Sequence, residues 1–224
     1  MAATKFTFNI KEFEEGMKEL MEYSRRDVAV VLAEQVKGFS RLVIDLTPPA
    51  RGGTRGQAAK QLGNKTIDGD VRSLFMPVHP NNADIKLPEM ESVLNARRVK
   101  GRVASSPVDR RKAARGDITL LVKKKQAKVG FLAGAWITAT RKLGQIAAPA
   151  WVKRHSGKAK GSTKFRIELN KAIADITNAV PYASNVDGFE RRVQAALNIQ
   201  GRKMKRRAEH FMTQRAKKAG FEAS

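Results

Sequence analysis

Between residues 27 and 46 the side chains Val28, Val31, Leu32, Phe39, Leu42, Val43 and Leu46, with Gln35 among them, recur every three or four positions until Pro48-Pro49 ends the pattern. That period lays one apolar stripe along an α-helix and does not fit a strand, whose side chains alternate. Two prolines remove two backbone donors and cannot continue the helix. The chain is therefore committed to a long amphipathic helix from about Asp27 to Leu46, and its stripe needs other elements to cover it. With 224 residues and 42% hydrophobic side chains, enough material is present for one large or two small packed domains.

Other elements follow from the same reasoning. Asn9 and Glu12 have capping-box spacing ahead of Ile10, Phe13, Met17, Leu20 and Met21, which predicts a helix over about 10–24. Residues 56–75 read as helical despite Gly63 and Gly69, and Pro77, Pro80, Asn81, Asn82 and Pro88 then predict a loop. A single helix is expected over 117–144, on Ile118, Leu121, Val122, Val129, Leu132, Trp136, Thr140 and Leu143. Phe165, Ile167 and Leu169 alternate with polar residues as in a strand; Ile173, Ile176 and Val180 continue the pattern, with helix an alternative over 170–178. A long basic helix is expected over 188–218, with Gly201 a possible kink and Gly220 its end.

This inventory predicts an α+β fold in which long amphipathic helices pack on a small antiparallel sheet, with basic extended loops. Residues 1–76 form an N-terminal helical part, and 77–116 an extended basic arm. Residues 117–224 supply a helix, loop, strand and C-terminal basic helix of the same domain. The stretch 95–116 is rich in Arg, Lys, Ala, Gly and Ser and has few large apolar positions, so ordering within an assembly is expected of it.

Charge restricts the partners. Lys and Arg number 44 against 21 acids, a formal net charge of +23, and three windows carry all of it: 97–128 (+10), 153–166 (+6) and 201–218 (+7). Each run alone reads equally well as a solvated face. Together they favour a shared acidic partner, because such an excess repels itself and attracts polyanions. Duplex DNA fits through its phosphates, whereas base or single-strand reading needs aromatic side chains to stack on. Only Trp151, Phe165 and Phe211 lie in or beside these windows, among apolar neighbours that suit a core. Anionic surfaces of partner proteins are the other candidate. The residues expected to make these contacts are Arg97, Arg98, Arg110, Arg111, Lys123, Lys124, Lys125, Arg206 and Arg207.

Catalytic patterns are missing. There is no cysteine, hence no disulfide, thiolate zinc site or cysteine nucleophile. Gly52-Gly53-Thr54-Arg55-Gly56 lacks the Gly-Lys-Ser/Thr ending of a phosphate loop, and no Gly-x-Ser-x-Gly occurs. His79, His155 and His210 are far apart without ligand spacing, and each reads as a surface or loop residue. Asp68 and Asp70, two apart on a helix, diverge and read as solvated charges. Glu12, Glu14, Glu15, Glu19 and Glu22 make the first helix acidic, either as its wet face or as a contact with a neighbour's basic surface. No heptad array, zinc-finger spacing or helix-turn-helix pair is evident. The expectation is a protein that is not an enzyme, with no cofactor, metal, membrane span or small-molecule substrate. Met1 to Asn9 lacks the pattern of a signal peptide, which gives an expectation of intracellular origin.

Val129-Gly130-Phe131-Leu132-Ala133-Gly134-Ala135-Trp136, followed by Pro149-Ala150-Trp151-Val152-Lys153-Arg154-His155, resembles a segment of phage virion proteins. Asn178-Ala179-Val180-Pro181-Tyr182-Ala183 is similar to the passage from strand to final helix in tail-completion and neck proteins of long-tailed double-stranded DNA bacteriophages. Leu46-Thr47-Pro48-Pro49 through Gly53-Thr54 resembles their helix-to-loop passage. The matches cover about half the chain, with Pro149, Trp151, Pro181 and Tyr182 as their most distinctive positions; the basic stretch 95–116 and the loop at 77–90 depart from the compact versions. The resemblance implies a homo-oligomeric, commonly hexameric, ring that joins head to tail, touches other neck or tail proteins and the DNA backbone, and is assembled in the host cytoplasm. The alternative from composition alone is a sequence-independent nucleic-acid-binding or packaging protein.

Overall fold

In a computed structural model, residues 11–24, 28–50, 53–99, 102–103, 110–168, 171–183 and 186–218 are described. Asn9, Asp27, Leu169 and Gly220, which entered the sequence expectations, lie outside them. The chain is mostly helical with a small set of strands, an α+β arrangement.

Helices α1 (Lys11–Ser24) and α2 (Val28–Leu46) come first. The stripe of α2 serves two hydrophobic clusters in turn: Val31, Leu32 and Val36 enter one, and Phe39, Val43 and Ile44 the other. Thr47 closes the helix, its hydroxyl donating to the Val43 carbonyl at 2.6 Å just before the prolines. Helix α3 (Gly56–Leu74) then spans from this main body into a smaller lobe. Ala59 packs in the main core, Val71 and Leu74 in the lobe core, and Ile67 against both.

The small lobe corrects the sequence expectation. Residues 77–116, expected as an extended arm, contain the second half of β1 (Phe75–Val78), a 3-10 turn at Pro80–Asn82, α4 (Leu87–Arg97), β2 (Arg98–Val99), β3 (Arg102–Val103) and β4 (Arg111–Ala114). Strand β4 returns to pair parallel with β1, Phe75 opposite Arg111 and Val78 opposite Ala114. Helix α4 starts with Pro88 in its first turn and Glu89 accepting the Lys86 amide at 3.1 Å. Its Met90 and Leu94 are fully buried with Phe75, Ile85, Ala113 and Leu121. Apolar residues too sparse to make a core within 95–116 are sufficient once α3 and α5 close over them.

Helix α5 (Arg115–Gln126) and α6 (Phe131–Ala139) replace the single helix expected over 117–144. The break is at Gly130, with φ at +93°, where a Cβ would also sit 2.6 Å from the Trp151 ring. Only glycine meets both demands without strain. A 3-10 turn at Arg141–Leu143 and the short α7 (Ala150–Lys153) lead to a hairpin of β5 (Gly161–Glu168) and β6 (Lys171–Asn178), in antiparallel register from Gly161–Asn178 to Glu168–Lys171. Residues 171–178 are thus strand and not the alternative helix. The strands of the described residues form three two-stranded sheets, one parallel and two antiparallel.

The last helix, α8 (Phe189–Lys218), runs antiparallel to α2. Its first half buries Phe189, Val193 and Ala196 beside Phe39 and Trp136, and its second half buries Met204 beside Met17, Val31 and Leu32. Gln200 donates to the buried Gln35 carbonyl oxygen at 2.7 Å, and Arg192 donates to the Leu46 and Ala50 carbonyls at 2.9 and 2.7 Å, closing the C-terminal end of α2. Gly201 does not interrupt α8; it faces α1, where a Cβ on Gly16 would lie 2.8 Å from the Gly201 carbonyl.

That crossing yields a paired expectation. Gly16→Val forces backbone against backbone and lowers stability by about 1–3 kcal/mol. Gly69→Ala, on α3 with nothing within 4 Å of the added methyl, raises it by roughly 0.5–1 kcal/mol through helix propensity. Chemical denaturation of the two variants against the parent checks both signs.

Candidate nucleic-acid interface

Part of the first basic window is held by acids inside the small lobe. Glu91 on α4 faces α5, where Lys124 Nζ lies at 2.9 Å and Lys125 Nζ at 3.9 Å. Lys125 also donates to Asn95 Oδ1 at 3.4 Å. Arg98 reaches across to Asp70 of α3 at 3.2 Å, both side chains mostly covered. The hydrogen bond from Lys124 holds the Glu91 carboxyl below the ordinary carboxylate range. Burial pushes the Lys125 ammonium down; Glu91 opposes this, while Lys128, Arg98 and Lys124 add to it. Glu91 is thus the acid that faces three neighbouring cations, Lys124, Lys125 and Lys128. Arg97, Arg110, Arg111 and Lys123 are exposed and form no ion pair among the described residues.

The Pro149–His155 segment is a clamp on the α5–α6 corner. Trp151 donates its indole N–H to the Gly56 carbonyl at 3.0 Å while its ring covers Gly130. Arg154 donates to the carbonyls of Ala127 and Val129 at 3.2 and 3.3 Å and reaches that of Gln126 at 3.5 Å, closing the end of α5 beneath Lys123–Lys125. His155 is buried, correcting the surface role expected for it, with Nε2 3.0 Å from the Val129 carbonyl and 3.1 Å from Arg154 Nε. One nitrogen cannot donate to the first and accept from the second at once, so the two contacts alternate with tautomer. Burial is the main cause holding the imidazole below its usual pKa; the Val129 bond opposes it, and Arg154 and Lys158 reinforce it. Pro181 and Tyr182 turn the chain between β6 and α8. The Tyr182 ring is 44% exposed, yet loss of water around the hydroxyl pushes it up to about 12, with the Arg98 charge pulling the other way.

The third window differs. On α8, Arg202, Lys203, Arg206, Arg207 and Lys217 are exposed. Lys205 turns toward α1 and pairs with Glu15 at 2.8 Å, which holds that carboxyl below its normal range through the Lys205 hydrogen bond and charge. The acidic first helix therefore lies on the basic helix of its own chain; Glu14 and Glu22 remain exposed. In the second window Arg154 is taken by the clamp and Arg166 by Asp175 at 3.0 Å.

Of the nine cations expected to form a contact surface, Arg98, Lys124 and Lys125 are gathered around Glu91 and Asp70, and Arg206 and Arg207 stand apart on α8. The two groups belong to different frameworks, since α5 packs on α3 and α4, and α8 on α1 and α2. Charge counting could not tell that Arg154 and Arg192 are used to cap helix ends; only their closeness to such ends hinted at that role. Asp68 and Asp70 do diverge, Asp68 to Arg72 at 2.9 Å and Asp70 to Arg98. Trp151 packs in the main core, and Phe165 and Phe211 against the cluster of α1, α2 and α8. Among the described residues no group of His and acids could hold a metal ion, and no helix is long and apolar enough to cross a membrane. No family model, curated protein or solved structure matches this chain.

Two outcomes are expected. Folded-state His155 binds its proton less readily than the unfolded residue, so unfolding takes up protons and stability falls as pH drops below about 6.5. Thermal midpoints from pH 8 to 5 show that decline in the parent, and a shallower one in His155→Gln. Glu91→Gln leaves Lys124, Lys125 and Lys128 without their acid; its thermal midpoint falls, and 0.5 M salt restores part of the loss by screening.

Proposed function

We propose that this chain is a non-enzymatic structural subunit of a double-stranded DNA phage virion, forming a homo-oligomeric ring, sixfold, at the neck or tail end. In this reading it joins head to tail beside other neck or tail proteins and borders the DNA channel. The observation that carries it is the cation surface on α8, where Arg202, Lys203, Arg206 and Arg207 are exposed on one helix while Lys205 turns away to Glu15. Copies of a +23 chain held side by side repel one another unless a polyanion lies among them. Assembly and contact with the genome are then one event. The resemblance of the 129–136, 149–155 and 178–183 stretches to tail-completion and neck proteins supplies the location; the first two pack together at the α5–α6 corner.

A second reading has its own support: the α8 surface can hold phosphates without a ring, as a sequence-independent packaging protein would. Mass photometry at low and high salt, with and without random-sequence duplex, separates the two. The expected result is a discrete closed oligomer of six chains whose mass does not grow with duplex length. A monomer that coats duplex in proportion to its length removes the ring and leaves the packaging reading.

A further inference from the structure

We infer that the exposed face of the second half of α8 is the surface that meets duplex DNA, and that it holds the phosphate backbone without reading sequence; this rests on the genome-contacting part of the function proposed above. The helical period sets Arg202, Arg206, His210 and Lys217 on one side, flanked by Lys203 and Arg207. All six are exposed. Lys205 projects from the other side to Glu15, and the half-buried Phe211 packs inward. From Arg202 to Lys217 the stripe extends about 24 Å at 1.5 Å per residue, a length over which a duplex carries roughly 14 phosphates.

The rest of the molecule is less suited. In the small lobe Arg98, Lys124 and Lys125 are held by Asp70 and Glu91, the exposed Arg97, Arg110, Arg111 and Lys123 come from α4, the β4 end and α5 rather than from one helix face, and Arg154 is consumed by the carbonyls of the α5–α6 corner. A cation already paired with a carboxylate releases little on meeting a phosphate. The stripe carries Glu209 at its margin as its nearby acid and no Phe, Tyr or Trp, so a single imidazole, His210, is all that bases could stack on. Protein interfaces concentrate aromatic and apolar groups at their centre and exclude charge from it. Met212, the exposed apolar side chain nearest in sequence, lies toward the Lys205 side and outside the stripe. The face therefore fits a polyphosphate backbone better than a folded acidic partner.

The test compares two variants of the full chain that lose the same charge. One carries Arg202→Gln, Lys203→Gln, Arg206→Gln and Arg207→Gln; the other carries Arg97→Gln, Arg110→Gln, Arg111→Gln and Lys123→Gln. Binding to a random-sequence duplex is measured by fluorescence anisotropy from 50 to 300 mM salt. The α8 variant is expected to lose about 3–4 from the slope of log K against log salt, at roughly 0.9 per phosphate contact, and the small-lobe variant about one or less. Unequal sequences of duplex give the same slopes. An unchanged slope in the α8 variant, or an equal loss in the small-lobe variant, overturns the assignment. So does tighter α8-dependent binding of poly-glutamate than of duplex, which would make the partner an acidic protein. Oligomer mass is recorded in the same solutions. Six-chain assembly with DNA binding that ignores α8 sinks this inference and leaves the subunit reading, whereas α8-dependent binding by a persistent monomer does the reverse.

Discussion

The antiparallel contact of α2 with α8 is the constraint on which the other elements depend. It joins residues more than 140 positions apart, through Arg192 on the Leu46 and Ala50 carbonyls at one end and Gln35 with Gln200 further along. Both amides of that second pair are buried, so replacing either by an apolar side chain while the helices stay packed would leave the other without water or partner. Between those points the two helices share the apolar clusters that seat Trp136, α1 and the β5–β6 hairpin. Trp136 in particular meets Phe39 of α2 edge-on and lies against Phe189 of α8, each at 6.2 Å. Removing either helix would therefore expose both clusters.

Charge in this protein acts at two levels. Arg154, Arg192, Arg98 and Lys125 serve the fold: they close helix ends or balance Asp70 and Glu91 where water is scarce. The cations of outer α8 serve no fold contact described here. A net charge of +23 thus overstates what is offered to a partner, and its distribution between these levels decides where a partner is held.

The long helices were legible because their apolar stripes are local: the periods through Val31–Leu46 and Phe189–Met212 depend on nothing outside the helix, and their ends came within a few residues. Strand character over β5 was legible from Phe165 and Ile167 for the same reason, although the reversal into a hairpin with β6 was not. The small lobe was not, because its core is assembled from distant singles, Phe75, Ile85, Met90, Leu94 and Ala113, none of which repeats with a period. Gly130 was hidden by a helical spacing that persists across the break from Val122 to Val129 and Trp136. As for the candidate interface, its composition could be counted from the sequence, but not which cations an acid such as Glu91 would claim, since Glu91 precedes Lys124 by 33 residues.

The parallel pairing of β1 with β4 has a kinetic consequence. Phe75 meets Arg111 only after the intervening chain has looped back, and closing such a loop spends entropy before any contact repays it. Helical hairpins around α2 and α8 nucleate locally, although their docking also spans the chain. A newly made chain consequently carries Arg98, Lys124 and Lys125 unpartnered until the lobe closes, and during that interval cellular polyanions compete with Asp70 and Glu91 for them.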